Sequence, residues 1–189
     1  IIQCLNCGYA ANVERAISLR AQTPAEAPMQ LEKVYTPEIS TIEDLANSLS
    51  IPKSKTLKSV FYHADGAFVF AIIRGDLEIN EAKLRRVLGA KELRLATIQE
   101  VVAAGLVPGF ASPFNIQGVQ IIADTSLEHS TNLLAGANQL NYHFRNANYP
   151  RDFLYDKIED IALSQGGDAC VHCNESLTTT RGIEIGHVF

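Results

Sequence analysis

Four cysteines fall as two CxxC pairs at opposite ends of the 189-residue chain, Cys4 with Cys7 and Cys170 with Cys173. Two such pairs can supply four thiolates to one tetrahedral zinc ion. They can do so only if everything between them loops out as a folded body and its two ends meet. Gly8 follows the first pair and Asn174 the second. Both residue types accept the left-handed backbone expected where a tight turn wraps a metal. Four thiolates leave no open position for a catalytic water, so the expected role is a structural zinc, with no catalytic cofactor. Unliganded thiols and a disulfide are the competing readings. A secreted disulfide framework is not expected, since nothing else in the sequence suggests export.

The length suits one ordinary domain and little more. With 47% apolar and 20% charged residues, the chain falls outside the disordered, collagen-like and disulfide-knot classes. No apolar run is long enough for a bilayer, so no membrane partner and a cytoplasmic location are expected. The first residue is Ile1 and the single methionine is Met29, which reads as a piece of something longer. A net charge of -5 argues against generic affinity for nucleic acid, which depends on neutralising phosphates. It leaves room for a nucleic acid held locally, because Lys53, Lys55, Lys58 and Arg74 cluster, as do Lys83, Arg85, Arg86, Lys91 and Arg94. The plainer reading of these clusters is solvated helix and loop faces.

Apolar spacing at Val13, Ala16 and Ile17 suggests a short helix within residues 8–22, and residues 22–30 read as a linker. Ser40 with Glu43 forms a capping-box pattern ahead of a helix carrying Ile42, Leu45, Ala46 and Leu49. Leu57 to Ala64 reads as a strand, Asp65-Gly66 as a tight turn, and Ala67 to Ile73 as the returning strand. Asn80 caps a helix that Gly89 stops, and Thr97 with Glu100 caps another that Gly105 stops. Val119 to Ala123 and Leu140 to Phe144 read as strands, and Asp156 to Leu163 as a final helix. Strand pairs interleaved with helices favour an α+β fold with a mixed or antiparallel sheet over a doubly wound one.

Several catalytic signatures are absent: no GxSxG, no HExxH and no GxxxxGK[ST]. The five histidines, His63, His129, His143, His172 and His187, include no two at metal-ligand spacing. What remains is a set of polar and small residues beside apolar strands. Lys58 sits near the start of the first hairpin strand, where a snorkelling lysine is the plain alternative. Arg74-Gly75-Asp76 closes the second. Gly109-Phe110-Ala111-Ser112-Pro113 reads either as a connector or as a rigid backbone wall that admits only small side chains.

In this order along the chain, KTLKSVFY, IIRGDLEINEAKL, the GFASP loop, LLAGANQLNYHFRN and YPRD resemble the editing insertion of bacterial prolyl-tRNA synthetase, a member of the YbaK/prolyl-tRNA synthetase-associated family. CGYAANVERA and RGIEIGHVF resemble the synthetase catalytic domain on either side of that insertion. The resemblance implies residues 1–22 and 166–189 as flanks of a parent catalytic domain and residues 23–165 as the editing domain. It also implies a mixed, largely antiparallel sheet or partly open barrel surrounded by helices.

The activity implied is hydrolysis of alanine wrongly esterified to the proline tRNA. The partners implied are the acceptor end of that tRNA and the rest of the synthetase chain. Lys58, Gly109 and His143 match the family's key positions. Lys58 would engage the terminal adenosine phosphate or the carbonyl region. It is a poor general base, since an ordinary lysine is protonated at neutral pH. His143 would shape amino-acid specificity, and the backbone of Phe110, Ala111, Ser112 and Pro113 would hold the carbonyl or the water. Asp76 and Asn138 are supporting pocket candidates. Direct attack by water, assisted by a hydroxyl of the terminal ribose, is expected in place of an acyl-enzyme. Two alternatives stand beside this: a tRNA-binding module without chemistry, and a free-standing type of deacylase acting on Cys-tRNA(Pro) or other small aminoacyl-tRNAs.

Overall fold

The computed structural model describes residues 1–24, 26–39 and 41–181. It divides into two compact units, one from Ile1–Ala21 together with the segment from Leu163 onward, the other from Gln22–Ala162. In chain order the elements are β1 (Ile2–Gln3), β2 (Ala10–Ala11), β3 (Glu32–Tyr35), α1 (Ile42–Ser48), β4 (Leu57–Ala64), β5 (Ala67–Arg74) and α2 (Glu81–Leu88). There follow β6 (Leu93–Leu95), α3 (Ile98–Ala103), β7 (Gln120–Asp124), β8 (Leu133–Gly136), β9 (Tyr142–Ala147), β10 (Lys157–Glu159) and β11 (Thr178–Thr179). The fold is α+β with mixed and antiparallel sheets, as expected. Among the described residues no helix is long and apolar enough to cross a membrane.

The larger unit is organised by the β4–β5 hairpin. Asp65 (φ 48°) and Gly66 (φ 85°) both take positive φ, the two-residue turn whose twist matches paired strands. Register runs from Leu57 opposite Arg74 to Ala64 opposite Ala67. The hairpin sits inside a five-stranded sheet of order β10-β7-β5-β4-β6, with β7 parallel to both β5 and β10. β5 is buried on both faces, and its alternation splits the core. Phe70 and Ile72 join Leu57, Leu133, Ala135 and Ala147 on one side, and Val69 and Ala71 join Tyr62, Leu84 and Ile122 on the other. Burying each large side chain of this kind contributes about 1.5–3 kcal/mol. The second sheet is antiparallel, in the order β3-β9-β8.

Two local expectations are corrected. Asp156 to Leu163 is not a helix. Lys157–Glu159 is strand β10, pairing with Ile122–Asp124. The spacing of Ile158, Ile161 and Ala162 mimics a helical stripe, but side-chain anchors draw this backbone onto β7. Asp156 Oδ2 accepts from Ile121 N at 2.6 Å, and Asp124 Oδ2 accepts from Ile161 N at 2.9 Å. The segment 8–22 likewise carries no helix. Ala10–Ala11 pairs with β1, Leu19 bridges Ala169, and Ile17 N donates to the Tyr9 hydroxyl at 2.9 Å, so tertiary pairing overrides the weak local pattern. The Ser40 cap lies outside the described residues; the cap seen is Thr41, whose Oγ1 accepts from Asp44 N at 3.0 Å.

The smaller unit is a short antiparallel sheet, β11-β1-β2, over a core of Ile2, Cys4, Ala16, Cys170 and Leu177.

Candidate functional site

A cavity of about 180 Å³ opens in the larger unit between α1, β4, the loop at Gly109, β8 and β9. Lys58, Gly109, Ala111 and His143 all line it, together with Ser59, Phe61, Gly136 and the α1 side chains Ile42 and Leu45. The lining combines apolar side chains with the polar groups of Thr41, Lys58, Ser59 and His143 and with main chain.

The loop forms one wall because it is tied down from both sides. Gly109 has φ 81°, a left-handed conformation that favours glycine. Asn138 clamps the loop. Its Oδ1 accepts from Ser112 N at 2.8 Å, while its Nδ2 donates to Ser112 O at 3.1 Å and Phe114 O at 3.0 Å. Gly136 in β8 lets the loop close in, since a Cβ there would lie 2.2 Å from Phe110 O. Of the loop's amides, Phe110 N is spent on Val107 O, Ser112 N on Asn138, and Pro113 has none. Among the described residues, no hydrogen bond is formed by the amides of Gly109 and Ala111, and both residues are in the cavity lining.

His143 is 4% exposed, and burial pushes its imidazole down to about 4, so the ring is neutral at neutral pH. Its Nδ1 lies 2.6 Å from the Thr36 hydroxyl, and its ring meets Phe110 at 5.4 Å between centroids. Lys58 lines the cavity, yet its Nζ donates to Leu77 O at 2.8 Å and Glu78 Oε1 at 2.7 Å. The Glu78 side chain is 73% exposed. By strand alternation Lys58 shares a face with Val60 and Tyr62, whereas Leu57, Ser59 and Phe61 share the other.

Five expected residues are outside the lining: Phe110 and Ser112 are buried members of the loop, and the other three lie elsewhere. Asp76 is outside the lining and holds Arg74, accepting at Oδ1 from Nε at 2.6 Å and at Oδ2 from Nη2 at 2.8 Å. Asn138 acts through the loop, and Pro113 lines a separate concavity with Ile116 and Tyr155. Thr36, Ser59 and Gly136 were not anticipated. The run LLAGAN offered a signal for Gly136; for the other two the signal is spatial only.

In the smaller unit the sulfurs of Cys4, Cys7, Cys170 and Cys173 all lie within 4.8 Å of one another. Cys4 Sγ is 3.5 Å from Cys173 Sγ and Cys7 Sγ is 3.6 Å from Cys170 Sγ. Zinc bonded tetrahedrally at ~2.3 Å would space its sulfurs by about 3.8 Å, so the donor set fits that ion. Each pair is followed by the expected left-handed residue, Gly8 at φ 78° and Asn174 at φ 64°. Gly8 N and Asn174 N close these turns onto Cys4 O and Cys170 O at 3.1 and 2.9 Å. The Glu175 backbone amide, with help from Asn6, draws the Cys173 thiol down to about 7.

Residues 36–153 match the model of the aminoacyl-tRNA editing domain. The chain is 48% identical over its whole length to a proline–tRNA ligase of Dehalococcoides mccartyi and 43% identical to one of a Sulfurihydrogenibium species. It spans about a third of the length of these curated relatives, 33% and 34%. A solved structure described as a candidate trans-editing enzyme for prolyl tRNA synthetase shares the fold, with a TM-score of 0.62 at 20% identity over 71% of this chain and 87% of that one. The chain thus belongs to the aminoacyl-tRNA editing domain family.

Proposed function

We propose that this chain is the editing part of a proline–tRNA ligase and that its cavity hydrolyses alanine from mischarged tRNA(Pro). The observation that carries the reading is the convergence of Gly109, Ala111, Lys58 and His143 on one small cavity, within the family's matched span. A synthetic site shaped for proline cannot strongly reject the smaller alanine, because a missing methylene changes binding by only about 1–3 kcal/mol. A second chamber that admits a methyl group and excludes a five-membered ring completes the discrimination.

In this reading a water attacks the ester carbonyl carbon, assisted by a hydroxyl of the terminal ribose. The bond from the carbonyl carbon to the ribose oxygen breaks, the ribose oxygen takes up the proton, and alanine leaves as the acid. The amides of Gly109 and Ala111 donate to the developing oxyanion, a preorganised arrangement that needs no side-chain nucleophile. His143, neutral and anchored by Thr36, shapes the amino-acid end of the chamber. Lys58 reaches the terminal phosphate by exchanging the exposed Glu78 carboxylate for it. The four cysteines would hold one zinc ion, whose role would be structural, tying together the two segments of the smaller unit.

Incubating the chain with alanyl-tRNA(Pro) tests the proposal. Release of free alanine that Lys58→Ala abolishes, with an unchanged circular dichroism spectrum, supports it. Binding without release would favour the alternative of a tRNA-binding module.

A further inference from the structure

Ser59 Oγ is a buried hydroxyl with no hydrogen-bond partner among the described residues, and Ser59 lines the cavity. It stands opposite Ile72 in the β4–β5 register, on the same strand face as Leu57 and Phe61. Its surroundings there are apolar, since Leu57, Phe61 and Ile72 belong to one hydrophobic cluster. A polar group in such a place forfeits its hydration and gains nothing from the fold, so a chain selected for stability alone would carry alanine or valine there. Leu57 and Phe61, which share its strand face, line the cavity with it, so a partner would approach from that side. A serine hydroxyl can donate one hydrogen bond and accept others, so it can pair with either polar end of an aminoacyl group.

We propose that Ser59 is a substrate-positioning residue whose hydroxyl hydrogen-bonds the aminoacyl group held in the cavity, across from the Gly109 and Ala111 amides. The inference rests on the editing reading for the identity of the ligand. It adds a polar contact to the aminoacyl group, whereas Lys58, its neighbour in sequence, is assigned to the terminal phosphate and projects from the other face of the strand.

The test uses the whole chain and the hydrolysis-resistant amide analogue of alanyl-adenosine, with calorimetry for binding and thermal unfolding for stability. Ser59→Ala is expected to weaken binding about tenfold, the loss of one well-placed hydrogen bond. It is also expected to leave the melting temperature equal to or above that of the parent, because an orphaned polar group has been removed. Ser59→Thr, which keeps the hydroxyl, restores binding. A structural serine would give the opposite pattern, a lower melting temperature with unchanged binding, and that result overturns the proposal, as does an analogue that fails to bind. If the analogue binds in the expected order but alanyl-tRNA(Pro) is not hydrolysed, the Ser59 contact stands and the hydrolytic reading falls.

Discussion

The Nδ1 atom of His143 lies 2.6 Å from the Thr36 hydroxyl, so strand β9 and the segment after β3 fix the ring that lines the cavity. Both residues are buried, at 4% and 2% exposure. Thr36→Val removes the hydroxyl at nearly constant shape and leaves a ring nitrogen without its partner. A stability loss of about 1–3 kcal/mol in urea unfolding is expected. Deacylation should fall with it, measured on alanyl-tRNA(Pro) at a temperature where the variant is fully folded.

The same histidine predicts an acid limb in stability. Folded His143 titrates at about 4 through burial, and an unfolded histidine near its ordinary value of about 6.5. Between these values the unfolded chain binds the extra proton, so this residue makes stability rise with pH from about 4 to about 6.5 and adds no slope above. The difference between the parent and His143→Asn unfolding free energies should therefore change across that window and be flat from pH 7 to 8. A difference that is flat throughout would mean that the ring titrates normally.

Two glycines should fail for different reasons. Gly136→Ala places a Cβ 2.2 Å from Phe110 O, so the loop must move away from β8. A cost of about 1–3 kcal/mol and loss of deacylation are expected. A Cβ at Gly109 meets nothing within 4 Å, but its φ of 81° penalises a side chain by roughly 1–2 kcal/mol. Gly109→Ala should therefore destabilise less than Gly136→Ala. Denaturant midpoints at constant m-value read the order.

Lys58→Ala should weaken tRNA binding and flatten its salt dependence. If the ammonium neutralises one phosphate, the slope of log affinity against log salt should fall in magnitude by about 1. An unchanged slope would restrict Lys58 to its contacts with Leu77 and Glu78.

Elemental analysis should find one zinc per chain, and Cys170→Ser should lose it. Cobalt substitution should give the intense sulfur-to-metal charge-transfer band of a four-thiolate site. Stripping the metal should lower the unfolding temperature, because metal binding is linked to folding.

The hairpin was legible from residue types alone, since Asp65-Gly66 needs no tertiary context to turn and both strands are rich in apolar residues. The caps at Asn80 and Thr97 were equally local, and so was the left-handed backbone after each CxxC pair. The failures share a cause. β10 and the segment 8–22 take their conformations from distant partners, Asp124 and Asp156 pulling on β10 and its neighbours, and Tyr9 and Ala169 on the latter. A helical-looking spacing over a few residues carries no information about such partners. The short strands β3, β6 and β8 likewise owe their conformation to partner strands and carry little local signal. At the site, Gly109 and His143 were named through resemblance. Thr36 and Ser59 are chemically ordinary, and only their enclosure by other elements marks them.

The central claim is that the chamber clears a small amino acid and spares a ring. The most direct measurement is the hydrolysis rate of alanyl-tRNA(Pro) beside prolyl-tRNA(Pro), with equal concentrations of the chain. The account predicts rapid loss of alanine and prolyl ester decaying no faster than in buffer; equal rates for the two, or no hydrolysis of either, would contradict it.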